Sequence, residues 1–270
     1  MTAPAKRMTV PEFRARKGNG PPLVVLTAYD LPSAQAAEEG GVDALLVGDS
    51  VGNVLLGHTS TLTVTLDDVI HHARAVGLAR KSALFVVDMP WMTYHLGPQD
   101  ALRNAARVVR ETGADAVKLE GGVKRVGAIR ALLDAEIPVM GHVGLTPQSV
   151  LRMGGYRVQG RDAQAAQAIR DDARAIVEAG VFAMVLEGVP ADLAAEITRE
   201  VDLPTIGIGA GSACDGQVLV FHDLLGMTTA PTPRFVRRYA EVYASQVEAI
   251  RRFCSDVRER TFPSDRETYR

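Results

Sequence analysis

Three stretches of the chain that share one plan decide the fold: GVDALLVGD at Gly41–Asp49, GADAVKLE at Gly113–Glu120 and GVFAMVLE at Gly180–Glu187. Each begins with a glycine of the kind that ends a helix, continues as a run of mostly apolar residues and finishes on a carboxylate. The runs do not alternate with polar residues, which is typical of strands buried on both faces of a parallel sheet. The repeat therefore predicts βα units in which an acidic side chain follows the strand.

Apolar runs of this kind occur eight times in the 270 residues and alternate with segments of helical period. The predicted strands are Leu23–Thr27, Ala44–Val47, Ala83–Val87, Ala116–Leu119, Pro138–Gly141, Phe182–Leu186, Thr205–Ile208 and Val218–Val220. Alternation repeated about eight times predicts an α/β fold of the (β/α)8 TIM barrel type. An open doubly wound sheet is the alternative.

Capping signals predict where several helices begin and end. Thr65 followed by Asp68 resembles a capping box at the start of one helix. Proline near the first turn and a terminal glycine predict a helix over Pro98–Gly113, and an aspartate cap predicts another over Asp162–Gly180. A further helix is expected to begin at Pro190.

The segment from Arg234 onward (RFVRRYAEVYASQVEAIRRF) has the pattern of an amphipathic helix. Phe235, Tyr239, Val242 and Val247 lie on or near one stripe. We expect a single domain over residues 1–270 with this helical extension from about residue 233. The helix would be the last of the barrel or a contact between subunits, since its aromatic face extends beyond the eight-unit count.

The composition excludes several classes of protein. Apolar residues make up 47% and charged residues 23% of the chain, and the formal net charge is −2, so no basic field favours nucleic acid or an anionic membrane. The two cysteines, Cys214 and Cys254, lie too far apart in sequence for a zinc or redox motif. The chain has no run of about 18 apolar residues and no apolar stretch near its beginning. We expect a cytoplasmic protein.

Ionisable residues follow five of the predicted strands. They are Asp49, Asp88, Glu120, His142 and Glu187. In a parallel barrel the carboxyl ends of all strands ring one mouth, so these side chains are expected to converge although they are scattered in sequence. A single carboxylate after a strand could simply cap the helix that follows. Four carboxylates that each follow a strand favour a functional site.

Crowded carboxylates need a cation. Two of them about 5 Å apart repel by about 3 kcal/mol at an effective dielectric constant of about 20. Oxygen ligands without cysteine select a hard ion, most simply Mg²⁺. Asp49 and Asp88 are the candidate direct ligands, with Glu120 bound directly or through water. A salt-bridged cluster without metal is the alternative.

Lys118 interrupts an apolar run, and only four other lysines occur in the chain. With the period of a strand, Lys118 and Glu120 project to the same face, near the top of the barrel. A buried ammonium needs a partner, so a pair with Glu120 is one interpretation. A second interpretation is that the Lys118 ammonium binds an oxyanion or carboxylate of a ligand. A third is that Lys118 forms a Schiff base, although a lysine among acids tends to stay protonated and is then a poor nucleophile.

Two glycine-rich stretches are further candidates for ligand contact. Gly207–Gly211 (GIGAG) follows a strand and would form a phosphate cup or a tight turn, because it lacks the full dinucleotide fingerprint. The long segment Gly144–Arg161 follows the fifth predicted strand, as lids and ligand loops often do. His71 and His72 favour a surface or packing role.

Seven ordered motifs resemble the ketopantoate hydroxymethyltransferase family, from about Thr9 to Tyr239. The motifs are LTAYD (26–30), VGDSVGNVLLGH (47–58), STLTVT (60–65), VKLEGG (117–122), GHVGLTPQS (141–149), GGYRVQGR (154–161) and IGIGAG with CDGQVLV (206–220).

The resemblance implies a (β/α)8 barrel of the phosphoenolpyruvate/pyruvate superfamily and the first step of pantothenate and coenzyme A biosynthesis. In that reaction 5,10-methylenetetrahydrofolate passes its one-carbon unit to 3-methyl-2-oxobutanoate, giving 2-dehydropantoate. The resemblance further implies a homo-oligomer, typically a decamer. It also assigns roles to individual residues: Mg²⁺ on Asp49, Asp88 and Glu120; the oxo acid on Asp49, Ser50, Asp88, Lys118 and His142; and the proton acceptor at Glu187.

Two alternatives stay open. Another Mg²⁺-dependent lyase or aldolase acting on a 2-oxo acid would present the same acids, and it would turn over without the folate. A non-catalytic oligomer that binds a metabolite would show ligand-dependent stabilisation without exchange of the C3 proton. The retention of every charged residue of the motifs argues against that second alternative.

Overall fold

A computed structural model describes residues 6–269, and its central feature is a closed barrel of eight parallel strands in chain order. The strands are β1 (Leu23–Thr27), β2 (Ala44–Val47), β3 (Leu84–Asp88), β4 (Ala116–Glu120), β5 (Val139–Gly144), β6 (Ala183–Glu187), β7 (Thr205–Ile208) and β8 (Gly216–Leu219). Every predicted run overlaps one of these strands. The barrel closes between β1 and β8, where Val25 pairs with Val218. The predicted barrel is confirmed, and the open sheet is excluded.

Helices lie between the strands, and short ones extend the loops. They are α1 (Val10–Arg14), α2 (Leu31–Glu39), α3 (Val51–Val54), α4 (Leu66–Ala79), α5 (Pro98–Thr112), α6 (Val126–Asp134), α7 (Val150–Met153), α8 (Ala163–Ala179), α9 (Ala191–Glu200), α10 (Phe221–Leu224) and α11 (Val242–Arg258). Thr65 and Asp68 form the predicted capping box of α4, and Asp162 caps α8. Gly113 and Gly180 end α5 and α8 with positive φ angles of 72° and 104°, which glycine adopts at little cost.

The barrel interior is apolar in its lower half, toward the amino ends of the strands, and polar at its top, where the strands end. Its lower part is filled by one cluster of buried residues that follow the period of the strands, including Leu84 and Val86 of β3 and Ala116 of β4. Phe13 of α1, which precedes the first strand, is fully buried in the same cluster. Side chains two residues apart on a strand point the same way, so Asp88 on β3 and Lys118 on β4 face the same interior as these apolar residues, nearer the mouth.

The C-terminal segment differs from its prediction. The chain divides into two compact units, Met1–Val220 and Phe221–Arg270. The helix of the second unit, α11, begins at Val242, so the prediction of a helix from Arg234 is wrong for residues 234–241. The backbone amide groups of Tyr239 and Val242 donate to the carbonyl groups of Leu224 and Leu225 instead of closing helical turns. Backbone hydrogen bonds to the end of α10 thus replace the first two turns expected from the apolar stripe.

The surface of α11 is strongly apolar for an exposed helix. None of its 17 residues, all within the described range, is buried. Its apolar side chains Tyr243, Ile250, Phe253 and Val257 are all exposed. Within residues 6–269, no helix is both long enough and apolar enough to cross a membrane.

A buried carboxylate links helix α2 to the turn that precedes strand β3. Glu38, at the end of α2, accepts hydrogen bonds from the backbone amide groups of Lys81, Ser82 and Ala83 at 2.8, 2.9 and 3.1 Å. The Ser82 hydroxyl donates a further bond at 2.8 Å. Burial alone would raise the pKa of Glu38, but these donors outweigh it and the pKa is lowered. The ionised carboxylate therefore anchors the turn that leads into β3.

We expect Glu38→Gln to lower the free energy of unfolding by about 2 kcal/mol at pH 7, because its amide group would face backbone donors. The pKa of Glu38 is lowered in the folded state. The difference in free energy of unfolding between the wild type and the variant should therefore be largest above the ordinary glutamate pKa of about 4.3 and shrink as the pH falls below that value. Urea denaturation at several pH values and one protein concentration measures the difference.

Glu39→Gln is the matched control. The neighbouring Glu39 has a side chain that is 74% exposed and lies 3.6 Å from the Lys81 ammonium. This variant should unfold at nearly the same urea concentration as the wild type. Equal stability of the wild type and Glu38→Gln at pH 7 would contradict the anchoring role.

Candidate active site

The structure brings the predicted ionisable residues together at the mouth of the barrel. Asp88 ends β3, Lys118 and Glu120 lie on β4, His142 lies on β5 and Glu187 ends β6. Neighbouring strands place Asp88 beside Lys118 and Glu120 beside His142. The other two predicted site residues, Asp49 and Ser50, lie in the turn between β2 and α3.

Lys118 is the buried cation of the site. Its ammonium lies 3.0 Å from Asp88 Oδ1 and 3.2 Å from His142 Nδ1, and its side chain is only 5% exposed. The ion pair therefore joins Lys118 to Asp88, whereas Glu120 acts on Lys118 only through its charge. Burial lowers the pKa of Lys118, but the charges of Asp88, Glu120 and Asp49 raise it above its ordinary value. Lys118 stays protonated, which disfavours a Schiff base.

His142 is neutral and its tautomer is set by Lys118. Burial and the nearby ammonium hold the pKa of His142 well below its usual range. Since Lys118 donates to Nδ1, the proton of the ring lies on Nε2. Nε2 in turn lies 3.2 Å from Oε2 of Glu187, without the alignment of a regular hydrogen bond. The imidazole therefore presents an N–H group to the Glu187 carboxylate.

Glu187 differs from the other carboxylates in its exposure. Its side chain is 15% exposed, whereas those of Asp88 and Glu120 are 4% and 3% exposed. Burial raises the pKa of Glu187 to about 7, against the lowering effect of the Lys118 charge. A carboxylate with that pKa at the mouth is suited to take a proton from a bound molecule near neutral pH.

The site holds more negative charge than Lys118 can balance. Burial and the Asp88 charge raise the pKa of Asp49 to about 7. Burial and the Asp49 charge raise the pKa of Glu120 well above its ordinary value. Buried carboxylates that resist ionisation, together with oxygen as the only abundant donor, fit a hard divalent cation.

The carboxylates do not form a complete metal cage by themselves. Within residues 6–269, no three His, Cys, Asp or Glu side chains converge closely enough to hold a metal ion. This arrangement fits an ion that takes one or two carboxylates and fills its other positions with water and substrate, which is the usual behaviour of Mg²⁺. The assignment of Asp49, Asp88 and Glu120 as ligands stays a prediction.

Three uncharged residues that the sequence analysis missed form hydrogen bonds to predicted site residues. The Tyr29 hydroxyl lies 2.7 Å from Ser50 Oγ. The Gln148 side chain donates to Asp49 Oδ2 at 3.0 Å and accepts a hydrogen bond from the Tyr94 hydroxyl at 2.6 Å. Tyr29 and Gln148 lie in the quoted motifs LTAYD and GHVGLTPQS, so the signal was present, but neutral side chains do not stand out in a search for charge.

The other candidate stretches have simpler descriptions. His72 Nδ1 lies 2.7 Å from the carbonyl oxygen of Tyr29, and His71 packs edge-on against His72, so both support the expected packing role. The segment predicted as a lid or ligand loop, Gly144–Arg161, contains the short 3₁₀ turn that carries Gln148, and α7, in which Leu151 is 78% exposed. A phosphate cup at Gly207–Gly211 stays a prediction.

Comparisons with known proteins show the family to which the chain is similar. The sequence model of the family described as ketopantoate hydroxymethyltransferase matches residues 7–265. The chain is 53% identical over 264 residues to the 3-methyl-2-oxobutanoate hydroxymethyltransferase of Trichlorobacter lovleyi, covering 98% of this chain and 99% of that protein. It is 50% identical to the protein of the same name from Pelobacter propionicus, covering 98% of each.

A solved structure extends the likeness at the level of fold. The 2,3-dimethylmalate lyase, a member of the PEP mutase/isocitrate lyase superfamily, superimposes with a TM-score of 0.57 at 18% identity, covering 96% of this chain and 91% of that one. Identity this low shows a shared barrel and nothing about the reaction. The family match over 7–265 and the relatives at 50% identity or more show that the chain belongs to the ketopantoate hydroxymethyltransferase family.

Proposed function

We propose that this protein transfers the one-carbon unit of 5,10-methylenetetrahydrofolate to 3-methyl-2-oxobutanoate, giving 2-dehydropantoate, the first step of pantothenate and coenzyme A biosynthesis. Family membership and the names of the relatives support the reaction. The observation that carries it is Glu187, a mouth-facing carboxylate with a pKa of about 7 beside the neutral His142.

The residues around Lys118 suit a 2-oxo acid. The ammonium supplies a fixed positive charge for a substrate oxygen, and the Ser50 hydroxyl, held by Tyr29, supplies a hydrogen-bond donor. The N–H group of His142 and the carboxylates of Asp49 and Asp88 complete the predicted contacts. A Mg²⁺ ion held by Asp49 and Asp88, with Glu120 directly or through water, would polarise the keto group of the bound acid.

Glu187 is the proposed base. It takes the proton from C3 of the oxo acid, so the C3–H bond breaks and its electron pair moves toward the carbonyl group. Lys118 offsets the negative charge that develops there. Water adds to the methylene carbon of the folate and both C–N bonds of that carbon break, so that tetrahydrofolate leaves with two new N–H bonds and the one-carbon unit is released as formaldehyde. C3 then bonds to the released carbon, the C=O π pair moves onto its oxygen, and that oxygen takes the proton held by Glu187 to become the hydroxyl group. His142 Nε2–H orients the base, since it lies 3.2 Å from Glu187 Oε2 and such contacts tighten when substrate binds.

The proposal includes assembly and location. A helix with no buried residue and four exposed large apolar side chains, as in α11, is best explained by contact with another copy of the chain, in a homo-oligomer such as a decamer. The cytoplasm is the proposed location, because the substrates are metabolites of central biosynthesis and the sequence has only two cysteines.

Glu187→Gln keeps the shape of the side chain but removes its ability to take a proton. We expect exchange of the C3 hydrogen of 3-methyl-2-oxobutanoate in D₂O, followed by NMR, to fall at least about 100-fold, while calorimetry still detects binding of the oxo acid. Exchange by the wild type should also fall as the pH drops through about 7, where Glu187 becomes protonated.

The control for this variant is Glu178→Gln, which changes an exposed carboxylate on α8. It should exchange at the rate of the wild type. Exchange at the normal rate in Glu187→Gln would remove Glu187 as the base.

Consumption of the oxo acid should require the folate donor. With 5,10-methylenetetrahydrofolate present we expect 3-methyl-2-oxobutanoate to disappear as 2-dehydropantoate forms, and without it we expect no net loss. Chromatography of both acids over time measures this. Steady consumption in the absence of the folate would instead indicate a 2-oxo acid lyase or aldolase.

Removal of divalent metal should abolish turnover, because the carboxylates at the mouth would then repel one another without a compensating cation. Treatment with EDTA, followed by gel filtration and addition of Mg²⁺, tests this, and Mg²⁺ should restore the original rate. Protein passed through the same column without EDTA is the control. Full activity of metal-free protein would refute the assignment of a metal.

A further inference from the structure

Gln148 is the residue that physically connects two of the buried carboxylates. It lies in the 3₁₀ turn of residues 147–149 after β5, and it is 6% exposed. Its backbone amide group donates to Glu120 Oε2 at 3.0 Å. Its side-chain NH₂ group donates to Asp49 Oδ2 and to the carbonyl oxygen of Met89, both at 3.0 Å. One residue therefore supplies an N–H donor to each of two carboxylates, one in the turn after β2 and the other at the end of β4.

Tyr94 and the Met89 carbonyl group both favour one orientation of the Gln148 amide group. The Tyr94 hydroxyl oxygen accepts a hydrogen bond from the backbone amide group of Glu120 at 3.2 Å. Its own proton is then directed to Gln148 Oε1 at 2.6 Å. In the flipped orientation, Oε1 would face the Asp49 carboxylate and the Met89 carbonyl group, so two of the three contacts of the side-chain amide would join acceptor to acceptor. Only one orientation of the amide satisfies all of them.

The two donors of Gln148, one from the side chain and one from the backbone, fix one oxygen of each carboxylate. Gln148 engages Oδ2 of Asp49 and Oε2 of Glu120, so the second oxygen of each is the one available to a ligand. The donors also offset the repulsion between the two acids, which lie in a site with a single buried ammonium, that of Lys118. A hydrogen-bonded carboxylate held in one rotamer offers a preorganised ligand, and loss of such a partner typically weakens metal binding or activity 10- to 100-fold.

We propose that Gln148 is a positioning residue for hydroxymethyl transfer: its side-chain amide, held in one orientation by Tyr94, sets the Asp49 carboxylate, and its backbone amide sets Glu120. The reaction named here rests on the proposed function. The placement of Asp49 does not, so it can be tested by metal binding alone.

The experiment combines Gln148→Met and Tyr94→Phe as single variants and as a double variant. Methionine keeps the length of the side chain and the backbone donor to Glu120 but removes both donors of the amide. We expect Gln148→Met to lower kcat and the affinity for Mg²⁺ about 10- to 100-fold, with a smaller change in KM for the oxo acid. Tyr94→Phe, which removes only the hydroxyl, should lower both several-fold.

The double variant tests the connection between the two residues. If Tyr94 acts through Gln148, then Tyr94→Phe should cause no further loss once Gln148 is methionine. Calorimetric titration of Mg²⁺ alone into metal-free protein gives the affinity, and steady-state kinetics with saturating Mg²⁺ give kcat and KM. A thermal melt of each variant accompanies both, so that a loss of folded protein is measured separately.

Gln167→Met is the matched control, because Gln167 donates to Asp171 at 2.8 Å on the exposed surface of α8. It should leave kcat and the Mg²⁺ affinity unchanged. Values for Gln148→Met within twofold of the wild type, or losses in the double variant that equal the product of the single losses, would overturn the proposal. A wild type that binds Mg²⁺ but transfers no hydroxymethyl group, with Gln148→Met binding Mg²⁺ more weakly, would refute the proposed function and leave the positioning of Asp49 standing.

Discussion

A single buried ammonium stands among the acids at the mouth of the barrel, and the rest of the site depends on it. Lys118 pairs with Asp88 at 3.0 Å and donates to His142 at 3.2 Å. An unpaired charge at this depth would be strongly destabilising, so the ammonium and its carboxylates require one another. Because one positive charge cannot balance all of the acids, the remaining charge is available to attract a divalent cation.

The same ammonium gives two neighbouring groups their opposite roles. Its charge helps to hold His142 neutral and directs the ring proton to Nε2. The same charge lowers the pKa of Glu187 while burial raises it, and the two effects together leave that pKa at about 7. A carboxylate that was fully buried and unopposed would stay protonated, and an exposed one would be a weak base. Burial, opposed by the Lys118 charge, gives Glu187 the intermediate strength that abstraction of a carbon-bound proton needs.

The barrel separates stability from chemistry along each strand. Leu84 and Val86 on β3 fill the lower interior, and Asp88, two residues further on, belongs to the site. Neutral residues then hold the site residues: Gln148 and Tyr94 form hydrogen bonds around the carboxylates, and Tyr29 lies beside Ser50. The chain thus surrounds its repelling charges with hydrogen-bond donors whose positions are determined by the backbone of the loops.

The sequence by itself determined the strands, the caps and the gathering of Asp49, Asp88, Glu120, His142 and Glu187, because strand period and helix capping act over only a few residues. It did not locate the start of α11, where hydrogen bonds to the end of α10 override the apolar stripe. Only the tertiary structure decided that Lys118 pairs with Asp88, that His142 faces Glu187, and that Gln148 holds an aspartate 99 positions away. Those contacts arise from closure of the barrel, which brings distant strands and loops within hydrogen-bonding distance, and no local pattern specifies which polar atoms then meet.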